Sequence, residues 1–464
     1  MSQNILSPLR QGYSKISLVE FAKGQLPRPA TTMAKARWLC LVFLAAATGT
    51  ATTFDVAAYG AKADNVTVNT AAFRAAAAAA AAAAPGATIA VSGAGIYLTG
   101  AFNLSSGVTF NVAPNATVRG VGSDDPSQFP VVPPLPSYGT NRDTDTGPDR
   151  HQALIMVVPG ANGVRIVGGG TIHGGGAWWW EARSKKKLKA GRPHLLEIYN
   201  ATNVEVGDVR LVDSGFWTLH PVYSRAIHIH DVSIEAPSSS PNTDGIDPDS
   251  SQDVLIERCT ISCGDDHIAI KSGIDAFGRT VGIPSRNITV RGNVHLAGRG
   301  ISIGSEVSGG VEQVVIADVQ HLGPSEHGLH IKTSGSRGGY IRNVLYRNIT
   351  VGNVLGDKVI SLETTYGLGS SSSSSRRRSG PAVTPTDIRN VRYVNVSRGG
   401  TIHDNGAGQW GCFHDAPCHN ITLKDVHIEP AKGWSCSYVD SPDAGSAKAV
   451  DDVSPAGLSK CFGN

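Results

Sequence analysis

Three aspartates stand within a short stretch of the sequence: Asp244 in Ser240-Pro-Asn-Thr-Asp-Gly-Ile246, and the adjacent Asp265 and Asp266 of Gly264-Asp-Asp266. When segments are aligned on Ile246, Ile268, Ile301 and Leu329, the residues two before each anchor are Asp244, Asp266, Arg299 and His327. Three after it stand Asp249, Lys271, Gly304 and Lys332. If these segments stack, Asp244 and Asp266 are ladder neighbours with Arg299 one step further on. Like charges stacked so closely are destabilising unless something uses or compensates them. Consecutive side chains diverge on an extended backbone, so Asp265 is expected to point away from Asp266, giving two carboxylates together and one set apart. Hydrolysis of a glycosidic bond uses such a set. One carboxylic acid protonates the leaving oxygen while another carboxylate activates water, and a separation of ~6.5 to 9.5 Å accompanies inversion. The same acids could instead bind calcium or occupy turns.

The elements that would position them are legible as a repeat. From about residue 160 a phrase of alternating apolar and polar residues recurs, opened by Asn or another polar residue. Copies include Asn203-Val-Glu-Val-Gly-Asp-Val209, Asp253-Val-Leu-Ile-Glu-Arg-Cys259, Asn287-Ile-Thr-Val-Arg-Gly-Asn293 and Asn420-Ile-Thr-Leu-Lys-Asp-Val426. Period-two alternation marks a strand with one buried face. The apolar positions Val204, Ile227, Val254, Ile288 and Val314 are 23, 27, 34 and 26 residues apart. That spacing predicts an all-β chain, a single-stranded right-handed parallel β-helix. An antiparallel sandwich would need turns every ~8 to 12 residues without the longer period. Such a solenoid needs its open end covered, and Thr70 to Ala84, bounded by Pro85-Gly86, predicts a capping helix at the N-terminal coil. The 54 glycines are expected at coil corners. The Ser370 to Ser375 run followed by Arg376, Arg377 and Arg378 offers nothing apolar to bury and reads as a disordered insertion near 369–380.

Composition narrows the class. The chain has 464 residues, 17% charged and 41% hydrophobic, with a formal charge of +3. Met33 to Ala51 has the layout of a secretory signal: Lys35 and Arg37, then an apolar core from Trp38, then small residues. Residues 1–51 therefore read as a leader and 52–464 as one β-helix domain. Without the leader the chain keeps 35 basic against 37 acidic residues, so net charge points to no nucleic-acid partner, and no membrane association is expected after processing. Cys40 lies in the leader. The remaining six, Cys259, Cys263, Cys412, Cys418, Cys436 and Cys461, form an even set suited to an oxidising compartment. Their connectivity is not deducible, although Cys412 with Cys418 and Cys436 with Cys461 would be local staples. Eight Asn-x-Ser/Thr sequons, among them those at Asn287, Asn348 and Asn420, fit a secreted glycoprotein.

Taken in order, Ser240-Pro-Asn-Thr-Asp-Gly-Ile246, Gly264-Asp-Asp266, Gly298-Arg-Gly-Ile-Ser-Ile-Gly-Ser305 and Leu329-His-Ile-Lys-Thr333 resemble the four signature motifs of the polygalacturonases, glycoside hydrolase family 28, of plant cell-wall type. The opening Phe54-Asp-Val-Ala-Ala-Tyr-Gly-Ala61 is similar to that family's N-terminal part. The resemblance covers residues 54–440. It implies a secreted hydrolase cleaving α-1,4-galacturonosyl linkages of pectin with inversion at the cell wall, needing no cofactor and no metal, and expected to be monomeric. It also implies Asp265 as general acid, Asp244 and Asp266 as the pair that activates water, Lys332 as a ligand for a galacturonate carboxylate, and Asn242 as a supporting residue. In two places the sequence departs from the family pattern: Arg299 stands where the third motif has His, and His330 where the fourth has Arg. Arg299 can still grip a carboxylate in bidentate fashion. His330 would bind an anionic sugar only when protonated, so that grip weakens above ~pH 6.5. Other readings are a hydrolase of substituted pectin such as rhamnogalacturonan, a catalytically weak pectin-binding protein, and a lyase. Three further features are expected mainly as structure: His267 and His327 in packing, Trp178 to Trp180 as buried bulk or a sugar-stacking wall, and Lys185, Lys186, Lys187 and Lys189 as a solvated loop or a rim for polyanion.

Overall fold

The computed structural model describes residues 52–141, 145–366, 384–400, 406–413, 416–429, 433–439 and 450–455. The expected leader and the serine-arginine insertion lie outside these residues. Among those described, no helix is long and apolar enough to cross a membrane.

The repeat phrases are parallel strands stacked in register. Val164, Val204, Ile227, Val254, Ile288, Val314, Val344, Val391 and Ile421 form one unbroken row of partners from coil to coil. All nine are buried, as period-two alternation requires. Parallel strands joined by crossovers wind right-handedly, and the chain is a right-handed parallel β-helix. The polar residue that opens each phrase has a physical reason to be there. Asn203, Asp253, Asn287, Asn343, Asn390 and Asn420 all sit at positive φ, between 51° and 58°, which Asn and Asp tolerate better than other side-chain-bearing residues. Their side chains bond along the stack: Asn287 Nδ2 donates to Asp253 Oδ1 (2.7 Å) and Asn420 Nδ2 to Asn390 Oδ1 (2.8 Å). These left-handed corners are thus held by Asn and Asp, while glycines such as Gly160, Gly292 and Gly310 take positive φ at others.

Helix α1, Thr70–Ala83, lies where the capping helix was expected. It buries Ala72, Phe73, Ala76, Ala77 and Ala80, with the Phe73 ring 5.2 Å from Phe102 of an early coil. Two shorter helices, α2 (Gly176–Ser184) and α3 (Asp275–Val281), interrupt the coils. Cys412 and Cys418 form a disulfide, whereas Cys259 and Cys263 are buried free thiols, so the even count does not translate into complete pairing. Cys461, the expected partner of Cys436, lies outside the described residues.

A second face of the solenoid carries the aspartates. Leu219–Val222 ends a four-stranded sheet, and Ile268–Ile270, Ile301–Gly304, Ser325–Lys332 and Val354–Glu363 begin a six-stranded one. The Asp244 to Asp249 segment joins them through isolated bridges, Leu219 to Ile246 to Ile268 and Val222 to Asp249 to Lys271. Pro248 has no N–H to offer the next coil, so the ladder thins here. The expected alignment of Ile246, Ile268, Ile301 and Leu329 is the observed register.

Candidate active site

The three aspartates meet where the ladder thins. A Cβ at Gly264 would lie 2.0 Å from the Ser240 carbonyl oxygen, so only glycine lets the coil carrying Asp265 come this close to the one carrying Asp244. One oxygen from each of Asp244, Asp265 and Asp266 lies within 4.8 Å of the others. The three carboxylates form one patch as expected, but Asp265 is not set apart from the other two, because the chain bends at Asp265 and its side chain returns to the patch. The three are 3%, 7% and 1% exposed.

Their environments separate them. Asp266 receives Lys332 Nζ on Oδ2 at 2.7 Å and the Ser302 hydroxyl on Oδ1 at 2.9 Å. Burial favours its neutral form, but Lys332 and Lys271 outweigh burial and hold Asp266 below the usual carboxylate range. Asp265 is pushed up by burial and by the Asp266 charge, with Lys332 and Arg299 pulling the other way. Its Oδ2 accepts from Asn242 Nδ2 at 3.4 Å and lies 3.7 Å from Arg299 Nη1. Asp244 is pushed well above the ordinary value, first by burial and then by Asp265, and its Oδ1 has no hydrogen-bond partner. Charge is thus favoured on Asp266 and disfavoured on Asp244 and Asp265, as happens when coupled acids lie at close range.

A cleft of about 510 Å³ opens over this patch. Asn242, Asp244, Asp265, Arg299 and Lys332 all line it. Asp266 and His330 do not: Asp266 is 1% exposed beneath its neighbours, and His330 is 2% exposed, lies 3.9 Å from Glu363, and has its pKa lowered by burial. Burial thus disfavours the charged form of His330, and the ring sits outside the residues that line the cleft. Trp178, Trp179 and Trp180 belong to α2 and also lie outside the lining; Trp179 is fully buried against Phe129 and His151. The aromatic floor comes instead from Phe216 and Trp217. His267 is held by backbone, with Nε2 3.1 Å from two carbonyl oxygens and Nδ1 accepting from the Gly300 N–H. His327 is driven down to about 3, mainly by burial. Lys186 and Lys189 line a separate depression that shares Asp145 and Arg183 with the main cleft.

Several residues of the site carried no assignment from sequence. Arg192, fully buried, donates to Asn242 Oδ1 at 3.0 Å and to the Pro241 carbonyl at 2.7 Å, and so orients the amide that faces Asp265. Lys271, Glu306, Arg337 and Tyr366 also line the cleft. Lys271 is legible in the same ladder row as Lys332, whereas Glu306, Arg337 and Tyr366 sit in the loops that follow their strands, outside the repeated phrase.

The family model for glycosyl hydrolases family 28 matches residues 98–447. A probable polygalacturonase of Vitis vinifera is 37% identical over 63% of this chain and 59% of its own length. A second, of Arabidopsis thaliana, is 30% identical over 82% of this chain and 75% of its own. The chain thus spans less than two thirds of the grape relative. Among solved structures, the hyperthermoactive exopolygalacturonase of Thermotoga maritima is similar with a TM-score of 0.70 and 27% identity, covering 82% of this chain and 88% of that one. The polygalacturonase of Erwinia carotovora ssp. carotovora shares the fold, with a TM-score of 0.66 and 24% identity over 85% and 98% of the two chains.

Proposed function

The chain belongs to family 28 of the glycosyl hydrolases, and from that premise we propose that it is a secreted, monomeric hydrolase of the α-1,4-galacturonosyl linkages of pectin, acting at the cell wall. The observation that carries the reading is the division of labour among three carboxylates within 4.8 Å. Asp265 lines the cleft with its pKa raised, so it keeps a proton to give the leaving oxygen. Asp266, ionised by Lys332, accepts a proton from water, and Asp244 beside it helps hold that water. The water oxygen bonds to the anomeric carbon as the glycosidic bond breaks, Asp265 protonates the departing oxygen, and the Asp244 and Asp266 pair takes the water's proton.

Close spacing of the acids is usually the mark of a retaining enzyme, yet here a nucleophilic carboxylate is hard to find. Both oxygens of Asp266 are engaged, by Lys332 and by Ser302, and Asp244 resists ionisation. Water is then the available nucleophile, which supports inversion. Arg299 and Lys332 bring positive charge to the lining and suit uronate carboxylates.

The test is release of reducing ends from polygalacturonate by the wild type and by Asp265→Asn, with the anomer of the first product read by NMR. Release by wild type only, as the β-anomer, supports the reading; equal release by both proteins removes Asp265 from the acid role, and a first-formed α-anomer removes inversion.

A further inference from the structure

Lys271 is the least exposed cation lining the cleft after its partners are counted, and nothing in the mechanism above uses it. It is 3% exposed, and its ammonium stands 3.2 Å from Glu306 Oε2, 3.6 Å from Asp247 Oδ1 and 3.8 Å from Asp244 Oδ2. It also lies over the Trp217 ring, 4.5 Å from the centroid. Three carboxyl groups, two from the preceding coil and one from the following loop, thus converge on one buried ammonium. Glu306 is the tight partner and also hydrogen-bonds Ser305 at 2.9 Å. Asp247 is fully buried with neither oxygen hydrogen-bonded, and Asp244 has one oxygen unbonded. A buried carboxylate without hydrogen bonds keeps a charge only where a cation stands close.

We propose that Lys271 is a positioning residue for the water-activating pair, its buried ammonium favouring the charge on Asp266 and drawing back the proton affinity that burial gives Asp244. The assignment rests on the hydrolytic reading above, since it gives Lys271 a role only through that pair. Two distinct cations then serve the patch. Lys332 bonds Asp266 directly, while Lys271 stands 3.8 Å from Asp244 Oδ2, held by Glu306 and lying over the Trp217 ring. The charged groups that face Lys271 are Asp244 and Asp247 from the preceding coil, Glu306 from the following loop, and Asp266 from its own coil. Their charges are mostly negative, so replacing Lys271 by a neutral side chain makes every nearby acid harder to ionise.

Lys271→Met keeps an unbranched stem of similar length and deletes the charge. The pH profile of kcat on polygalacturonate is expected to move on its acidic limb, to higher pH by about one unit or more, with kcat at pH 5 reduced about tenfold and KM changed less than twofold. Lys271→Arg, a cation of similar reach, is expected to restore most of the limb. An unmoved limb in Lys271→Met, with wild-type turnover intact, overturns the assignment, as does a rise in KM at a fixed limb, which would make Lys271 a substrate ligand. A folded Lys271→Arg that behaves like Lys271→Met overturns it as well. Wild-type protein that releases no reducing ends fails the hydrolytic reading itself, a result distinct from these.

Discussion

Two faces of this solenoid are built by the same stacking operation and carry opposite electrostatics. On the long sheet, unlike charges meet between neighbouring coils. Arg165 grips Glu205 through two bonds of 2.8 and 2.9 Å, Arg210 meets Glu235, and Arg225 meets Asp253, with the arginines about half exposed. On the face of the cleft, like charges meet, Asp244 beside Asp266, buried. Exposed pairs of the first kind contribute little and are easily lost to salt. Buried acids of the second kind cost stability and create reactivity. The two faces also respond oppositely to pH. Glu257, on the long sheet, is lowered to about 2 because Arg258, Arg291 and His228 outweigh its burial. Its contribution is present above the ordinary carboxyl value and is lost as pH falls through about 2. Asp244 and Asp247 are raised, mainly by burial, so their contribution is present below the ordinary value and is lost as pH rises through the raised ones.

The contrast can be broken first at Asp265. Asp265→Asn is expected to lower kcat by about 10² to 10⁴-fold, the range general acid catalysis supplies, without loss of fold by circular dichroism. Lys332→Met leaves Asp266 buried without its direct cation partner, and denaturant titration is expected to show a loss of about 3 kcal/mol. Asp247→Asn removes a buried acid that resists ionisation, so the thermal midpoint is expected to rise by a few degrees at pH 7 and to stay put near pH 3.5. Arg299→His deletes a fixed cation that draws Asp265 down; the alkaline limb of kcat, where the acid loses its proton, is expected to move up, by less than the limb moves in Lys271→Met because Arg299 is 45% exposed. Arg165→Ala, on the other face, is expected to cost no more than about 1 kcal/mol and to leave kcat unchanged. A larger loss there would mean that the exposed ladder contributes more than exposed ion pairs usually do.

The parts of the fold that repeat were readable in advance. Val204, Ile227, Val254, Ile288 and Val314 pair as spaced, because coil stacking converts sequence period directly into register. Asp244, Asp265, Asp266, Asn242, Arg299 and Lys332 converge for the same reason. His330 illustrates what a period cannot show: it alternates outward with Leu329 and Ile331 buried on either side, yet its outward face is covered. The carboxylate spacing was missed because it depends on a turn at Asp265 rather than on an extended strand. Arg192, Glu306 and Tyr366 reach the cleft from segments where one coil differs from the next, and a repeat carries no information about its own irregularities.

The stacked register sets a rule for how such a cleft can change size. Asn242, Asp265, Arg299, Lys332 and Tyr366 come from successive turns of one winding chain, and adjacent turns are spaced by about 4.8 Å. Length along the cleft is therefore counted in whole turns. Gaining or losing a turn lengthens or shortens the track laid for a linear polymer by a fixed increment, while the loops between turns are free to alter its walls. Reach and selectivity in this architecture are separate variables, one digital and one continuous.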